Sequence, residues 1–352
     1  MRPSLETIAE RAGVSTATVS RALNDRAGVN PETRERILLI AREMEYMPNA
    51  AAKGLATLRT YTLGLILFER PPQEPITSFP DETILGADQE ARARGYHIIT
   101  TFVTSELMQD AFRVPLISEN RTDGLILVGP ALKASFVIQM CRSHLPVVLV
   151  DNLLNETKSD AIVCDNVSGC YDVTHHLIAA HGLRNLAFLS GPAEWFSSRE
   201  RRQGYEKAIA EIKQAPRVIY MKDTTMQFGY GAMRQALEHY PDLEGVVAVN
   251  DATAIGAIRA CKDAGLSVPG DMAVVGFDNV AWASLNEPSL TTVRISWRES
   301  GIQAARRLID RIERNVPASF QLRIGTELIV RQSCGCAPEH RDEEYHFGAQ
   351  HE

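Results

Sequence analysis

The feature that most limits the fold of this chain is a change of periodicity near residue 60. Beyond it, short apolar runs alternate with amphipathic stretches. The runs are Leu63–Phe68, His97–Phe102, Gly124–Val128, Val147–Val150, Leu186–Leu189, Val246–Val249 and Ala273–Phe277. Between them lie Ile84–Arg94, Val167–Ala180, Arg199–Ile212, Ala252–Ala264 and Ser300–Arg314, which read as helices. Short runs that are apolar throughout predict parallel strands covered on both faces, joined in β-α-β units. Roughly ten strands exceed one comfortable sheet, so two doubly wound lobes are expected.

The first 60 residues read differently. Leu5, Ile8, Ala9 and Ala12 fall at i, i+3, i+4 and i+7, one helical stripe. Gly13 ends that helix, and Ser15 caps the next, with Val14 and Val19 as a hydrophobic staple. Asn30-Pro31 opens a third helix, whose stripe is Ile37, Ile40, Ala41 and Met44. A helix over about residues 5–12, a turn at Gly13-Val14 and a helix over about 16–24 is helix-turn-helix spacing. On the second helix Val19, Ala22 and Leu23 face the first. Thr16, Ala17, Ser20 and Arg21 fall on the opposite face. That face suits the major groove: Thr16 can bond a base edge, Ala17 can touch a thymine methyl, and Arg21 can grip guanine O6 and N7. On spacing alone, three helices that simply pack together, with Arg21 solvated, would look the same.

The charge agrees with a nucleic-acid-facing head. The chain has 37 Lys+Arg against 44 Asp+Glu, a net charge of -7. Residues 1–60 hold nine basic against seven acidic residues, and the remainder 28 against 37. Only the head is therefore fit to meet phosphate. With 45% apolar and 23% charged residues the composition is globular, which excludes collagen-like and largely disordered chains. The apolar runs fall far short of the ~20 residues of a membrane span. No signal-like stretch follows Met1, so the expected location is cytoplasmic, with no membrane partner. The six cysteines form no C-x-x-C pair and read as reduced thiols.

Three stretches carry a family resemblance. Leu5–Ser15, Thr18–Asn24 and Tyr46–Ala52 resemble the DNA-binding head of the lactose-repressor (LacI/GalR) family of bacterial transcription regulators. The resemblance continues through His176-Leu-Ile, His181–Ala187, Arg201 with Gly204-Tyr205, Asn250-Asp251, Val275–Asn279, Pro288–Val293 and Glu327–Arg331. It spans about residues 4 to 333 in order. The fold class it implies is α/β, an N-terminal three-helix helix-turn-helix head plus a two-lobed periplasmic-binding-protein-like core. The expected organisation is a head over 1–48, a hinge helix and linker over 49–60, a core over 61–333 and an unstructured tail over 334–352.

Asn49 caps a short Ala-rich stretch to Leu58, with Ala51, Leu55 and Leu58 on one stripe. Alone it is shorter than the ~12–15 residues a stable helix needs, and Gly54 weakens it further. The resemblance makes it the hinge helix, with Leu55 as the apolar wedge in the minor groove. The family usually has Arg-Ser where this chain has Lys53-Gly54, which should raise the cost of ordering it. A plain linker is the alternative reading.

Acids and amides end several strands: Asp151, Asn250 with Asp251, and Asp278. Ligands of open α/β sheets sit beyond the carboxyl ends of strands. Such residues also cap helices, and Asp251 is the best candidate for capping alone. The resemblance implies effector contacts for Asp151, Arg201, Asn250 and Asp278. Where the family often has an aromatic after Asp223 this chain has Thr224, so Phe79, Trp195 or Phe228 could supply the stacking wall.

Enzyme signatures such as G-x-x-x-x-G-K-[ST], G-x-S-x-G and H-E-x-x-H are absent. Gly229-Tyr-Gly231 lacks the third Gly of a dinucleotide fingerprint. His175 and His176 point different ways on a helix, and Cys334-Gly-Cys336 is tight for a zinc knuckle, so lone thiols with no metal and no cofactor are expected. The expected function is a ligand-responsive transcriptional regulator, a repressor by family habit. It would bind double-stranded operator DNA as a homodimer and respond to a small effector, a sugar or sugar derivative. The tail Pro338–Glu352 lacks the Leu heptads that would join dimers into a tetramer. Activation or dual regulation, a corepressor-type response to a nucleobase or nucleoside, a free ligand carrier and a sugar-processing enzyme remain as alternatives.

Overall fold

The computed structural model describes residues 3–23, 27–46, 57, 59–69, 78–154, 156–314, 316–317 and 319–337. The chain divides into two compact units, Met1–Thr60 and Tyr61–Glu352. The expected hinge residues Asn49 and Leu55 lie outside the described residues, as do Lys53 and Gly54.

The described residues of the first unit include the helices α1 (Leu5–Ala12), α2 (Thr16–Leu23) and α3 (Pro31–Glu43). Each start is written in the sequence. Ser4 and Thr7 form a reciprocal capping box, with the Thr7 N–H donating to Ser4 Oγ at 3.3 Å and the Ser4 N–H to Thr7 Oγ1 at 2.8 Å. The Thr18 N–H donates to Ser15 Oγ at 3.2 Å, and the Glu32 N–H to Asn30 Oδ1 at 3.0 Å ahead of Pro31. Gly13 closes α1 at φ +64°, a conformation that would strain a side chain. Ile8, Ala9, Ala12, Val19, Ala22, Ile37, Ile40 and Ala41 make the buried centre.

The second unit is two doubly wound lobes, as the alternation implies. One sheet has six parallel strands in the order β11-β5-β4-β3-β1-β2: Thr62–Phe68 (β1), His97–Val103 (β2), Gly124–Val128 (β3), Val147–Val150 (β4), Asp160–Cys164 (β5) and Gln321–Ile324 (β11). The other is parallel in the order β7-β6-β8-β9: Leu186–Ser190 (β6), Val218–Tyr220 (β7), Gly245–Ala248 (β8) and Ala273–Val275 (β9). Thr292–Arg294 (β10) and Glu327–Ile329 (β12) form an antiparallel pair.

Helices cover both faces. In the first lobe these are α4 (Ser78–Ala93), α5 (Pro115–Ser118), α6 (Ala134–Cys141) and α12 (Trp297–Arg314). In the second they are α7 (Asn166–His181), α8 (Phe196–Glu211), α9 (Met226–His239), α10 (Asp251–Asp263) and α11 (Ala281–Leu285). Alternate residues of one strand serve opposite cores. Leu125 and Leu127 pack with Phe136 and Met140 of α6, while Ile126 and Val128 pack with Ala87 of α4 and Leu308 of α12. This two-sided burial is why the central strands read as unbroken apolar runs.

The strands that the pattern missed are short or polar. Strand β5 begins with Asp160, a buried acid that accepts from Arg307 Nε at 3.1 Å and from the Phe320 N–H at 2.7 Å. A charge inside a strand is tolerated because it is paired. The chain passes between the lobes three times, at Cys164–Asn166, Arg294–Trp297 and Ile324–Glu327. The expected tail also starts too early. Ser333 and Cys334 are buried, and the Ser333 hydroxyl donates to Val274 O at 2.5 Å, so residues 334–337 follow a buried anchor of the second lobe.

One glycine sets a helix contact. A Cβ on Gly204 of α8 would lie 2.3 Å from the Val167 carbonyl oxygen of α7. The two helices thus meet backbone to backbone, which draws Arg201, one turn earlier, onto the start of α7. Gly204→Ala is expected to lower stability by about 1–3 kcal/mol, as for overpacking. Denaturant unfolding with an unchanged midpoint would contradict this contact.

Candidate functional site

The carboxyl ends of the two sheets face one another, and the strand-end acids and amides meet there. Asp151 follows β4, Asn250 follows β8 and Asp278 follows β9, while Arg201 comes from α8. All four line one cleft together with Pro130, Trp195, Ser197, Ser198, Thr224, Val249 and Trp297. A larger cavity of 250 Å³ lies beside Cys141, Lys158 and Arg311, near the amino end of β4. Ligands of open α/β sheets use the carboxyl ends, so the cleft is the candidate site.

Arg201 organises the cleft. Its side chain is 5% exposed and pairs with Asp278, Nη2 to Oδ1, at 3.1 Å. Nε donates to Asn166 Oδ1 at 2.9 Å and Nη1 to the Val249 carbonyl at 2.6 Å. The guanidinium lies 4.0 Å over the Phe277 ring. A guanidinium stays charged at any working pH, so burial is tolerable only with partners on several sides. Asp151 and Asp278 both sit at positive φ, 54° and 113°. Such backbone persists where its surroundings over-determine it, and it aims both carboxyls inward.

Asp151 is fully buried and its Oδ1 has no hydrogen-bond partner among the described residues. Burial pushes its carboxyl up to about 7; Arg201 opposes the shift and Asp278 adds to it. At neutral pH the group is therefore divided between acid and carboxylate. A ligand hydroxyl could accept from the acid or donate to the carboxylate.

Capping is shared out differently from expectation. Asn250, not Asp251, caps α10: its Oδ1 accepts from the Thr253 N–H at 2.9 Å, and its Nδ2 donates to Thr224 O at 3.1 Å. Asp251 is fully buried and accepts from the Val280 N–H at 2.8 Å and from the Thr292 hydroxyl. Gly276 permits this, since a Cβ there would sit 2.3 Å from Asp251 Oδ1. Burial and the nearby Asp278 raise Asp251 to about 8.

Of the aromatic candidates, Trp195 lines the cleft, Phe228 is exposed and outside the lining, and the side chain of Phe79 lies outside the described residues. Trp297, Ser197 and Ser198 were not expected. Trp297 stands at the second lobe crossing, and no run of residues around it points to a pocket. In the head, Thr16, Ala17 and Arg21 are exposed and Ser20 is half-buried, while Val19 and Ala22 are buried. Arg21 Nε donates to Ala17 O at 3.3 Å, within one exposed surface. The lone-thiol expectation fails in one respect: Cys334 and Cys336 converge with His176 and His181.

Residues 4–49 match the family model described as bacterial regulatory proteins, lacI family, and residues 174–334 match a periplasmic binding protein-like domain. The transcriptional regulator RegA of Clostridium saccharobutylicum is 32% identical over 336 residues, covering 95% of this chain and 99% of RegA. The regulator CelR of Thermobifida fusca is 31% identical over 336 residues, covering 94% of this chain and 98% of CelR. The chain belongs to the lacI family of bacterial regulatory proteins. Among solved structures, a CelR–cellobiose complex shares 30% identity with a TM-score of 0.72 over 94% of this chain and all of that one. A lac repressor dimer bound to operator and the anti-inducer ONPF shares 25% identity with a TM-score of 0.80, covering 95% and 99%. This lacI-family member is thus a ligand-responsive DNA-binding transcriptional regulator with a periplasmic-binding-like core. No helix among its described residues is long and apolar enough to cross a membrane.

The raised carboxyl of Asp151 predicts a pH dependence for the cleft. Its folded value of about 7 stands above the ordinary 3.8, so its contribution to stability is intact below about pH 4 and is lost as the pH rises through 7. A ligand hydroxyl that donates to the carboxylate reverses the sense for binding. Affinity should then rise about tenfold between about pH 6 and 8, with a proton released on binding. Calorimetry in buffers of different ionisation enthalpy measures that proton. Asp151→Asn should remove both effects; a variant that kept the pH dependence would assign it elsewhere.

Proposed function

We propose that the protein is a homodimeric repressor of near-palindromic operator DNA, without catalytic activity, acting in the cytoplasm. Its effector is a sugar or sugar derivative held by Asp151, Arg201, Asn250 and Asp278. The observation that carries this reading is the convergence of those four side chains, from four separate segments, in a cleft that Trp195 and Trp297 also line. Alternating donors and acceptors suit a polyhydroxylated neutral ligand, and indole faces suit the C–H face of a sugar ring. The CelR–cellobiose complex is a precedent in a relative.

The cleft volume is 50 Å³. Ligand sites are typically about 300–1,000 Å³, so a sugar is expected to enter as the lobes part. Among the described residues, the three crossings between lobes are the chain links that such a movement must bend. Effector binding then changes lobe geometry, and through it the readiness of residues 49–60 to pair across the dimer. Thr16, Ala17, Ser20 and Arg21 read bases, and Asn49 and Leu55 serve the hinge. That is a coupling free energy between two sites, and the ligand shifts it only by its differential affinity for the two states.

A thermal-shift screen of mono- and disaccharides against nucleosides tests the ligand class. At 100 times its dissociation constant the effector adds about 2.7 kcal/mol. Stabilisation by nucleosides alone would replace the sugar reading. For DNA, Arg21→Ala should lose about 1–3 kcal/mol of discrimination between operator and scrambled duplex. Affinity should also fall steeply with salt despite the net negative charge. Equal binding of both duplexes by the wild type, or a flat salt plot, would remove the operator assignment.

A further inference from the structure

Far along α7 from the pocket, four side chains meet that the effector and operator readings do not use. His176 and His181 come from the last two turns of α7, and Cys334 and Cys336 from a segment more than 150 residues later. Their donor atoms all lie within 4.8 Å of one another. We propose that His176, His181, Cys334 and Cys336 form a closed tetrahedral site for one zinc ion, which fastens the C-terminal segment of the second lobe to α7.

Three of the nitrogen–sulfur distances are those of a coordination tetrahedron. With Zn–S about 2.3 Å and Zn–N about 2.0–2.1 Å, tetrahedral angles place sulfur and nitrogen about 3.5 Å apart. Here His176 Nε2 lies 3.4 Å from Cys334 Sγ and 3.6 Å from Cys336 Sγ, and His181 Nε2 lies 3.3 Å from Cys336 Sγ. The histidine rings meet edge to face, with centroids 5.2 Å apart. Two thiolates with two imidazoles make a borderline-soft set that selects zinc over calcium or magnesium.

The local backbone is shaped for this set. Gly335 adopts φ +105°, which turns Cys334 and Cys336 to the same side, and a Cβ there would touch the His181 ring at 3.4 Å. Thr291 Oγ1 lies 3.1 Å from Cys334 Sγ, an outer partner of the kind that orients metal ligands. Cys334 is buried and the other three are half-buried, and four protein ligands would fill a tetrahedral shell. Four protein ligands and no open position define a structural site. The short Cys-Gly-Cys spacing is no obstacle, because the other two ligands come from a helix and not from a second knuckle.

The site would hold one end of a helix whose other end serves the pocket. Asn166, the first residue of α7, receives the Arg201 hydrogen bond. His181, its last residue, would hold the metal. Sixteen residues of helix separate them by about 22–24 Å. Zinc would thus steady the support of the pocket without touching ligand.

The test uses the full chain, stripped with a chelator and reloaded with Zn²⁺ or Co²⁺ under reducing conditions. Expected are one zinc per chain by elemental analysis, a higher melting temperature for the loaded protein, and a cobalt spectrum with intense visible bands and thiolate-to-metal charge transfer. Cys336→Ser and His181→Ala should each weaken metal binding at least tenfold, while Cys141→Ser, a half-buried thiol of the first lobe, should keep it. Circular dichroism shows whether the variants are folded; should they not fold, the wild-type cobalt spectrum decides. Absence of stoichiometric metal, a cobalt complex without thiolate charge transfer, folded ligand variants that still load metal, or a Cys334–Cys336 disulfide in place of free thiols would each overturn the site.

Discussion

A buried guanidinium holds the candidate cleft of this protein together. Arg201 cannot lose its charge, so every direction of its fork has to be answered. Asp278 answers from the loop after β9, the Val249 carbonyl from the end of β8, and Asn166 from the start of α7. One side chain therefore sets the relative positions of three segments that arrive from distant parts of the chain. The close approach at Gly204 is a precondition, because it brings α8 near enough to α7 for the Asn166 bond. Cleft geometry and helix packing are thus one problem, and substitutions at Arg201 are expected to act on stability as well as on the cleft.

The neighbouring acids show how burial assigns different work to like residues. Asp151 and Asp251 are both fully buried and both shifted upward. Asp251 has its acceptor capacity used by Val280 and Thr292, and so serves the joint between β8, β9 and β10. Asp151 keeps an oxygen without a hydrogen-bond partner among the described residues and faces the cleft. Sequence position separates neither from the other, since each directly follows a strand or its end.

Legibility in the sequence followed locality. Gly124–Val128 and Val147–Val150 were read to the residue because burial on both faces leaves an unbroken apolar run. Strands β5, β10, β11 and β12 were not, because their acids and arginines are neutralised only by partners far along the chain, as Asp160 is by Arg307. Asp151, Asn250 and Asp278 were legible as polar residues closing apolar runs. Trp297, Ser197 and Ser198 were not, since nothing local marks their side of a helix as facing a cleft. The His–Cys cluster was misread for the same reason: each pair is unremarkable alone, and only the packing of residues 332–336 against α7 brings the pairs together.

The three crossings between lobes have a consequence for synthesis. The inner face of the first sheet, with Leu63 and Leu65 of β1, is covered in part by Ala304 and Leu308 of α12. Those residues leave the ribosome some 240 positions after β1. At about 5–20 residues per second, the nascent first lobe waits roughly 12–50 s with that face open. Most of the second lobe, from α7 through β10, is made within the wait, while β12 and the Ser333 anchor follow α12. A chain that crosses three times between lobes thus leaves part of one sheet uncovered until α12 is made.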